Sequence, residues 1–502
     1  SYTKNEFAEN TTKDYFANLS GEIVELPAGP LGFAVGLEHR KDEFLDQPDA
    51  LVAGGGSSDN FSLPTNGKVS VDEYYAELNI PILTDIPGFK LLEVNLAARS
   101  SDYDTQGIEA RVNQFTGAQI LRNRSSSYSD TSSKLGIKWQ VFDDLLLRGT
   151  YSESFRAPSV TDLFSGEGES FPPAVDPCST RGWARANAAT RANCIAGYTN
   201  AALGITIPGV PNGGSIQPNS QIRSLVGGNA DLKPENGTTK SFGIVYSPSW
   251  AEGLNFTLDY YNIELESVIS TRSANTVMQL CFNPASLLTN FQTFAQQQAT
   301  FCPLVTRAAN GDLNAVNTKP FNLDKGEVEG YDFAVAYAMP ETSWGKFSFQ
   351  WDNTYQTKND LFGTVGEYNG APTWRWRSNL VSSWQKGDFD AAWTMRYYSA
   401  LDEACDGGGY FEYGLTPSEI CNHDVNDANG RFLRSENRIG SRLYHDMQVG
   451  WKTPWNGKVI AGARNIFAKD PPITRNSFAH SFDGAYDLPE GGFWYLQYNQ
   501  KF

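Results

Sequence analysis

Side chains along this 502-residue chain alternate between apolar and polar with a period of two, in one segment after another. In Phe347-Ser348-Phe349-Gln350-Trp351-Asp352, an extended backbone puts Phe347, Phe349 and Trp351 on one face and Ser348, Gln350 and Asp352 on the other. Leu254, Phe256, Leu258 and Tyr260 form a second such set. A third is Phe389, Ala391, Trp393, Met395 and Tyr397, opposed by Asp390, Thr394 and Arg396. Leu92, Val94, Leu96 and Ala98 oppose Glu93, Asn95 and Arg99, and the last segment aligns Trp494, Leu496, Tyr498 and Phe502. These segments run about 9–13 residues, whereas soluble strands usually run ~5–6 and a tilted strand needs ~9–11 to cross a bilayer. The second face carries Asp, Glu and Arg in mid-strand. The dry centre of a sandwich would not tolerate that, but a wet or filled lumen would. The pattern predicts an all-β chain forming a transmembrane antiparallel up-and-down β-barrel.

The connections support this reading. Short turns at Pro27–Pro30, Thr84–Gly88, Phe142–Asp144, Pro248–Gly253, Pro340–Gly345, Lys386–Asp388 and Thr453–Gly457 alternate with long segments near 44–68, 102–128, 155–236, 268–325, 358–373, 399–440 and 465–490. Tight turns at one end and long loops at the other are the habit of outer-membrane barrels. About fifteen strands are expected between residues 14 and 502. No run approaches ~18 apolar residues, so no spanning helix is expected. The low mean hydropathy of −0.41 is compatible with strands that are half polar. A net charge of −17 leaves nothing basic to neutralise phosphates, which excludes nucleic acid as a partner. The chain starts at Ser1-Tyr2-Thr3-Lys4 without a signal-peptide pattern, in what reads as a strand region, as a fragment or a processed chain would.

Six cysteines fall as three sequential pairs in the long segments: Cys178 and Cys194, Cys281 and Cys302, Cys405 and Cys421. Without a CxxC, loop disulfides of an oxidising compartment are expected, although six cysteines allow 15 connectivities. An enzyme is not expected. There are four histidines (His39, His423, His445 and His480) and no GxSxG, HExxH or phosphate-loop pattern, so neither a catalytic group, a cofactor nor a metal site is assigned. Asn422-His423-Asp424-Val425-Asn426-Asp427 lacks the ligand spacing of a calcium-binding helix–loop–helix.

The candidate binding residues lie in the long loops. Asp402, Glu403, Asp406, Tyr410, Phe411 and Tyr413 join acidic and aromatic groups beside Cys405, while Trp183 and Tyr198 flank the Cys178/Cys194 pair. Aromatics next to hydrogen-bonding groups suit sugar rings or a peptide. The same side chains would otherwise pack the loops on each other and shield the disulfides. Trp351, Trp393, Trp451 and Trp494 suit interfacial girdles on the lipid face.

Four segments in order resemble those of TonB-dependent outer-membrane receptors. They are Tyr151-Ser152-Glu153-Ser154-Phe155-Arg156-Ala157-Pro158 at a strand end, Gly228-Asn229-Ala230-Asp231-Leu232-Lys233-Pro234-Glu235 before the next strand, Val328-Glu329-Gly330-Tyr331-Asp332-Phe333 at a strand start, and Gly462-Ala463-Arg464-Asn465-Ile466-Phe467 with Pro471-Pro472. The terminal Phe502 fits the same family. The resemblance implies a 22-stranded barrel of which residues 1–502 are the C-terminal part, strands eight to twenty-two, with the N-terminal plug and first strands in a further polypeptide. It also implies the bacterial outer membrane as location, the TonB complex and outer-membrane lipid as partners, a surface lipoprotein as a further one, and import of a scarce oligosaccharide, peptide or iron chelate. A passive pore or adhesion barrel is the alternative, and a soluble all-β lectin or enzyme the third reading.

Overall fold

The computed structural model describes residues 2–113, 117–184, 186–219, 221–286, 288, 291–361, 363–403, 425–426, 432–433, 437–474, 477, 482–486 and 491–501. Among these residues fifteen strands form one antiparallel sheet in chain order. They are β1 (Phe7–Leu26), β2 (Gly29–Gln47), β3 (Thr65–Ile86), β4 (Phe89–Val112), β5 (Gln119–Phe142), β6 (Leu145–Arg156), β7 (Glu235–Tyr246), β8 (Leu254–Ser270), β9 (Phe321–Ala338), β10 (Lys346–Asn359), β11 (Trp376–Lys386), β12 (Phe389–Tyr398), β13 (Arg442–Lys452), β14 (Gly457–Arg464) and β15 (Phe493–Gln500). Among the described residues β1 pairs only with β2, and β15 only with β14, so the sheet has two open edges. Among the described residues five short α-helices lie in the long connections: α1 (Ala50–Ala53), α2 (Val160–Phe164), α3 (Ala188–Ala196), α4 (Ala274–Phe282) and α5 (Phe294–Phe301). No described helix is long and apolar enough to cross a membrane.

Register carries the alternation across the sheet, because directly paired residues share a face. Leu78 pairs with Leu96 and Leu96 with Leu135. Phe256 pairs with Val335, Val335 with Trp351, and Trp351 with Leu380. Three residues further along each strand, Asp259, Asp332, Thr354, Arg377 and Tyr398 form a row on the opposite face. The apolar face is open: Trp393 is 41% and Leu496 77% exposed. Trp351, Trp451 and Trp494 are exposed on the same face. The buried hydrophobic clusters lie in the long connections and where these meet the sheet. Two-residue turns join β3 to β4 and β11 to β12, and Gly88 (φ +80°) and Gly387 (φ +56°) supply the left-handed backbone they require.

Several strands run further than alternation suggested. The connection expected over 102–128 shrinks to 113–118, since Tyr103 pairs with Tyr128 and Asp104 with Ser127. The connections expected over 44–68 and 268–325 likewise yield residues to strands at both ends, and β9 begins at Phe321, ahead of Val328. Ser100-Ser101-Asp102 and the run Ser125-Ser126-Ser127 are polar on both faces. Such a stretch pairs through its backbone ladder while showing no periodic signal.

Candidate functional site: a folded roof at the loop end of the sheet

The two longest connections, β6–β7 and β8–β9, fold together instead of lying as separate loops. Four short strands pair across them in the order 305–307, 313–317, 224–226 and 168–170. Side-chain caps start the helices. Ser159 and Asp162 form a capping box on α2, Asn187 caps α3, Ser273 caps α4, and Thr293 with Gln296 forms a second box on α5. Cys178–Cys194 and Cys281–Cys302 are disulfide-bonded, and all four cysteines are buried with Val210, Val277, Met278, Phe282 and Val316. Cys405 and Cys421 lie outside the described residues.

A charged pair is sealed inside this core. Arg307 donates from both terminal nitrogens to Asp176, at 2.8 and 2.7 Å, with side-chain exposures of 0% and 1%. The same guanidinium donates to the Gly311 carbonyl at 3.0 Å and stands over the Phe282 ring. Buried Gln217 ties the neighbouring backbone by accepting from Asp176 N at 3.0 Å and donating to the Ala174 carbonyl at 2.8 Å. These bonds make the buried charge tolerable, although the guanidinium Nε itself is buried without a hydrogen-bond partner among the described residues.

Helix α2 anchors the roof to the sheet. Val160, Leu163 and Phe164 are buried with Val69, Ala230 and Leu232, and Phe164 covers Gly67 and Gly107 on the polar face. Behind the helix, Lys319 donates to Glu167 at 2.7 Å with both side chains nearly buried. Burial pushes the Lys319 ammonium below its usual range, against the pull of Glu167.

The sequence-predicted residues separate into two groups. Trp183 and Tyr198 are half-buried against the disulfide core. Trp183 rests on Gly213, with the Arg191 guanidinium 5.6 Å from its ring centre, and the Tyr198 hydroxyl accepts from Asn200 at 3.2 Å. Asp402 and Glu403 lie in a different, three-stranded loop sheet, where 401–403 pairs with 367–368 and 438–439. Asp402 is exposed, and Glu403 is buried with its backbone tied to Asn437. Asp406, Tyr410, Phe411 and Tyr413, with His423 and His480, lie outside the described residues.

The loop sheet covers an aromatic cluster that sequence reasoning missed. Trp374, Tyr398, Tyr444 and Tyr486 come from four segments, with ring centres 4.8–6.4 Å apart. Arg377 stands over Trp374 and Arg396 over Tyr444. Close by, Tyr368 is fully buried and donates to Asp483 at 2.8 Å. Burial, reinforced by the Asp483 charge, pushes the Tyr368 phenol up to about 12. A signal did exist, because Tyr398 and Tyr444 are aromatics on the otherwise polar face of alternating strands. Below the cluster, a concavity of about 520 Å³ is lined by Asp259, Asp332, Asp352, Arg377 and Arg396. Among the described residues no group of three or more His, Cys, Asp or Glu side chains is placed to hold a metal ion.

An up-and-down antiparallel sheet with one apolar and one polar face, roofed at one end by cross-linked loops, has the strand pattern of outer-membrane β-barrels. The chain belongs to the family of TonB-dependent receptor-like β-barrels, whose model matches residues 1–466. Among solved structures it is similar to the ferric-catecholate import receptor Fiu of E. coli K12, at 13% identity and a TM-score of 0.54 over 99% of this chain and 55% of that one. It is also similar to the hemophore receptor HasR of Serratia marcescens, solved with its hemophore HasA and heme, at 12% identity and a TM-score of 0.52 over 92% of this chain and 57% of that one. The chain thus spans little more than half the length of either. No curated protein matches it by sequence.

Proposed function

We propose that residues 1–502 are the C-terminal barrel portion of an outer-membrane receptor that captures a scarce nutrient and imports it with energy delivered through TonB. The apolar face contacts hydrocarbon, with Trp351, Trp393, Trp451 and Trp494 at its interfaces, and the polar face lines the lumen. The two sheet edges are closed by further strands of a 22-stranded barrel, around a plug domain. The supporting observation is the pairing of a family match with a sheet whose charged groups gather on one face beneath a folded, aromatic-bearing roof. The substrate meets the roof and the aromatic cluster below it. Rings flanked by guanidinium and carboxylate groups suit an oligosaccharide or a peptide, and then an iron chelate of the kind named for Fiu.

The test is uptake by intact cells lacking the gene, with and without complementation, over a panel of labelled oligosaccharides, peptides and ferric chelates, repeated after loss of TonB. Uptake of one ligand class that needs both the gene and TonB is expected. Uptake that survives loss of TonB would convert the reading to a passive pore.

A further inference from the structure

We infer that the concavity below the aromatic cluster selects a short peptide with free ends. Its α-ammonium enters between Asp332 and Asp352, and its carboxylate meets Arg377. The inference rests on the reading of the chain as a receptor whose polar face lines the lumen, and it narrows the substrate to one class.

Register builds the wall of this site. Asp259 pairs with Asp332, Asp332 with Thr354 and Thr354 with Arg377, so the four stand in one row of the polar face. Asp352 precedes Thr354 by two residues on β10. It therefore shares that face one row towards the turns, opposite Asn379. Asp332, Asp352 and Arg377 are exposed and line the concavity. With strands ~4.8 Å apart, Asp332 and Arg377 are separated by ~10 Å of wall. An extended dipeptide or tripeptide spans ~7–10 Å. The volume of about 520 Å³ falls within the ~300–1,000 Å³ usual for small-ligand sites.

Charge decides which ligand suits this wall. Arg148 engages Asp259 at 2.9 Å, and Arg396 engages Asp446 at 3.0 Å. Arg442, beyond Tyr398 in the same row, donates to the Gly440 and Ser441 carbonyls at 3.2 Å. Among the described residues Asp332 accepts only from the Thr354 hydroxyl, at 2.8 Å, and Asp352 only from the Gln350 amide, at 2.6 Å. No described lysine or arginine forms an ion pair with either. Arg377 gives its N–H groups to no described acceptor, and its guanidinium stands 5.7 Å from the centre of the Trp374 ring, which orients it. Two free carboxylates and one oriented guanidinium are left. A neutral oligosaccharide would cover all three and compensate none. A ferric chelate with anionic arms would set negative charge against both carboxylates. A peptide with free ends brings a cation to the acids and a bidentate acceptor to Arg377, and such charge-assisted bonds are roughly twice as strong as neutral ones. The Trp374 and Tyr398 rings, 4.8 Å apart at the loop end, offer apolar cover to its side chains.

The test is titration calorimetry on the full-length receptor extracted in detergent. The ligands are trialanine, N-acetyl-trialanine, trialanine amide, maltotriose and a ferric tricatecholate. Trialanine should bind, and blocking either end should weaken it about tenfold or more. Arg377→Gln should weaken trialanine to the same extent and leave trialanine amide unchanged. Asp332→Asn combined with Asp352→Asn should weaken trialanine and leave N-acetyl-trialanine unchanged. A variant that only distorts the wall would weaken free and blocked peptides together, and that result overturns the assignment. So does a preference for maltotriose or the chelate. Uptake of the preferred ligand by cells with and without TonB separates this inference from the reading beneath it. TonB-dependent uptake of maltotriose or the chelate, with no peptide binding, sinks the peptide and leaves the importer standing. Peptide binding with the expected dependence on both ends, but uptake indifferent to TonB, sinks the importer and leaves the site standing.

Discussion

The ring of Phe164, at the end of α2, occupies the space where a side chain on Gly107 would begin. Gly67 on the neighbouring strand offers the second half of the same seat. The roof is therefore keyed into the sheet through two positions where a Cβ is missing, and this contact is open to direct test.

Gly107→Val should expel Phe164 and release α2 from the sheet, at an overpacking cost of ~1–3 kcal/mol. Phe164→Ala should release it by the opposite route, leaving a void worth ~3–5 kcal/mol. Limited proteolysis should show new cleavage within 157–234 in both variants, while heat-modifiable gel mobility stays as in wild type. Unchanged protection of the roof in both would mean that α2 is held elsewhere.

The disulfides should stabilise the roof and leave the sheet unaffected. They span 16 and 21 residues, for which loop-closure entropy gives ~3 kcal/mol each. Replacing Cys281 and Cys302 by Ala should lower the temperature at which 271–320 becomes protease-sensitive, and replacing Cys178 and Cys194 should do the same for 157–234. Differential scanning calorimetry should show the sheet transition unmoved.

Arg307→Ala should destabilise the roof by ~3–5 kcal/mol, because it strands the Asp176 carboxylate in an apolar core. Pairing Arg307→Met with Asp176→Leu should recover most of that loss, since neither charge then remains buried. Hydrogen exchange of the 305–307 and 313–317 amides reads the difference. A double variant no more stable than Arg307→Ala would show that the bonds of Arg307 to the Gly311 carbonyl and of Cys178 N to the Asp176 carboxylate, rather than charge burial, set the cost.

Tyr368 should set the alkaline limit of the loop sheet. Burial raises its pKa above the usual 10.0, to about 12, so the phenol is favoured in the folded state. The stabilisation is full below pH 10 and is lost as pH rises through about 12. Burial also raises Tyr486, in the same direction. Absorbance of phenolate near 295 nm should show tyrosines that resist titration until the loops open, and Tyr368→Phe should remove one of them. Normal titration of every tyrosine would refute the burial.

The fold was largely legible because strand identity and facing are local properties. Phe347, Phe349 and Trp351 point one way whatever their neighbours do, and turns such as 87–88 and 387–388 carry their own backbone requirement. Strand ends were less legible. Ser100-Ser101-Asp102 and Ser125-Ser126-Ser127 are polar on both faces, so pairing there leaves no periodic trace. The candidate site was legible only in part. That Trp183 and Tyr198 pack beside the disulfides was legible from their cysteines, whereas Trp374, Tyr398, Tyr444 and Tyr486 were not associated, since they meet only once β11, β12 and β13 are aligned.

Taken alone, the amino-acid order determined an alternating antiparallel sheet with one apolar and one charged face, the positions of its tight turns and the two loops that carry paired cysteines. The tertiary structure decided that those loops share one core, that Arg307 finds Asp176 from 131 residues away, and that Phe164 sits on Gly107. The division has a physical cause. A period-two pattern acts through the bonds between adjacent residues, whereas a buried ion pair or a ring in a glycine seat depends on packing between segments whose separation no local pattern specifies.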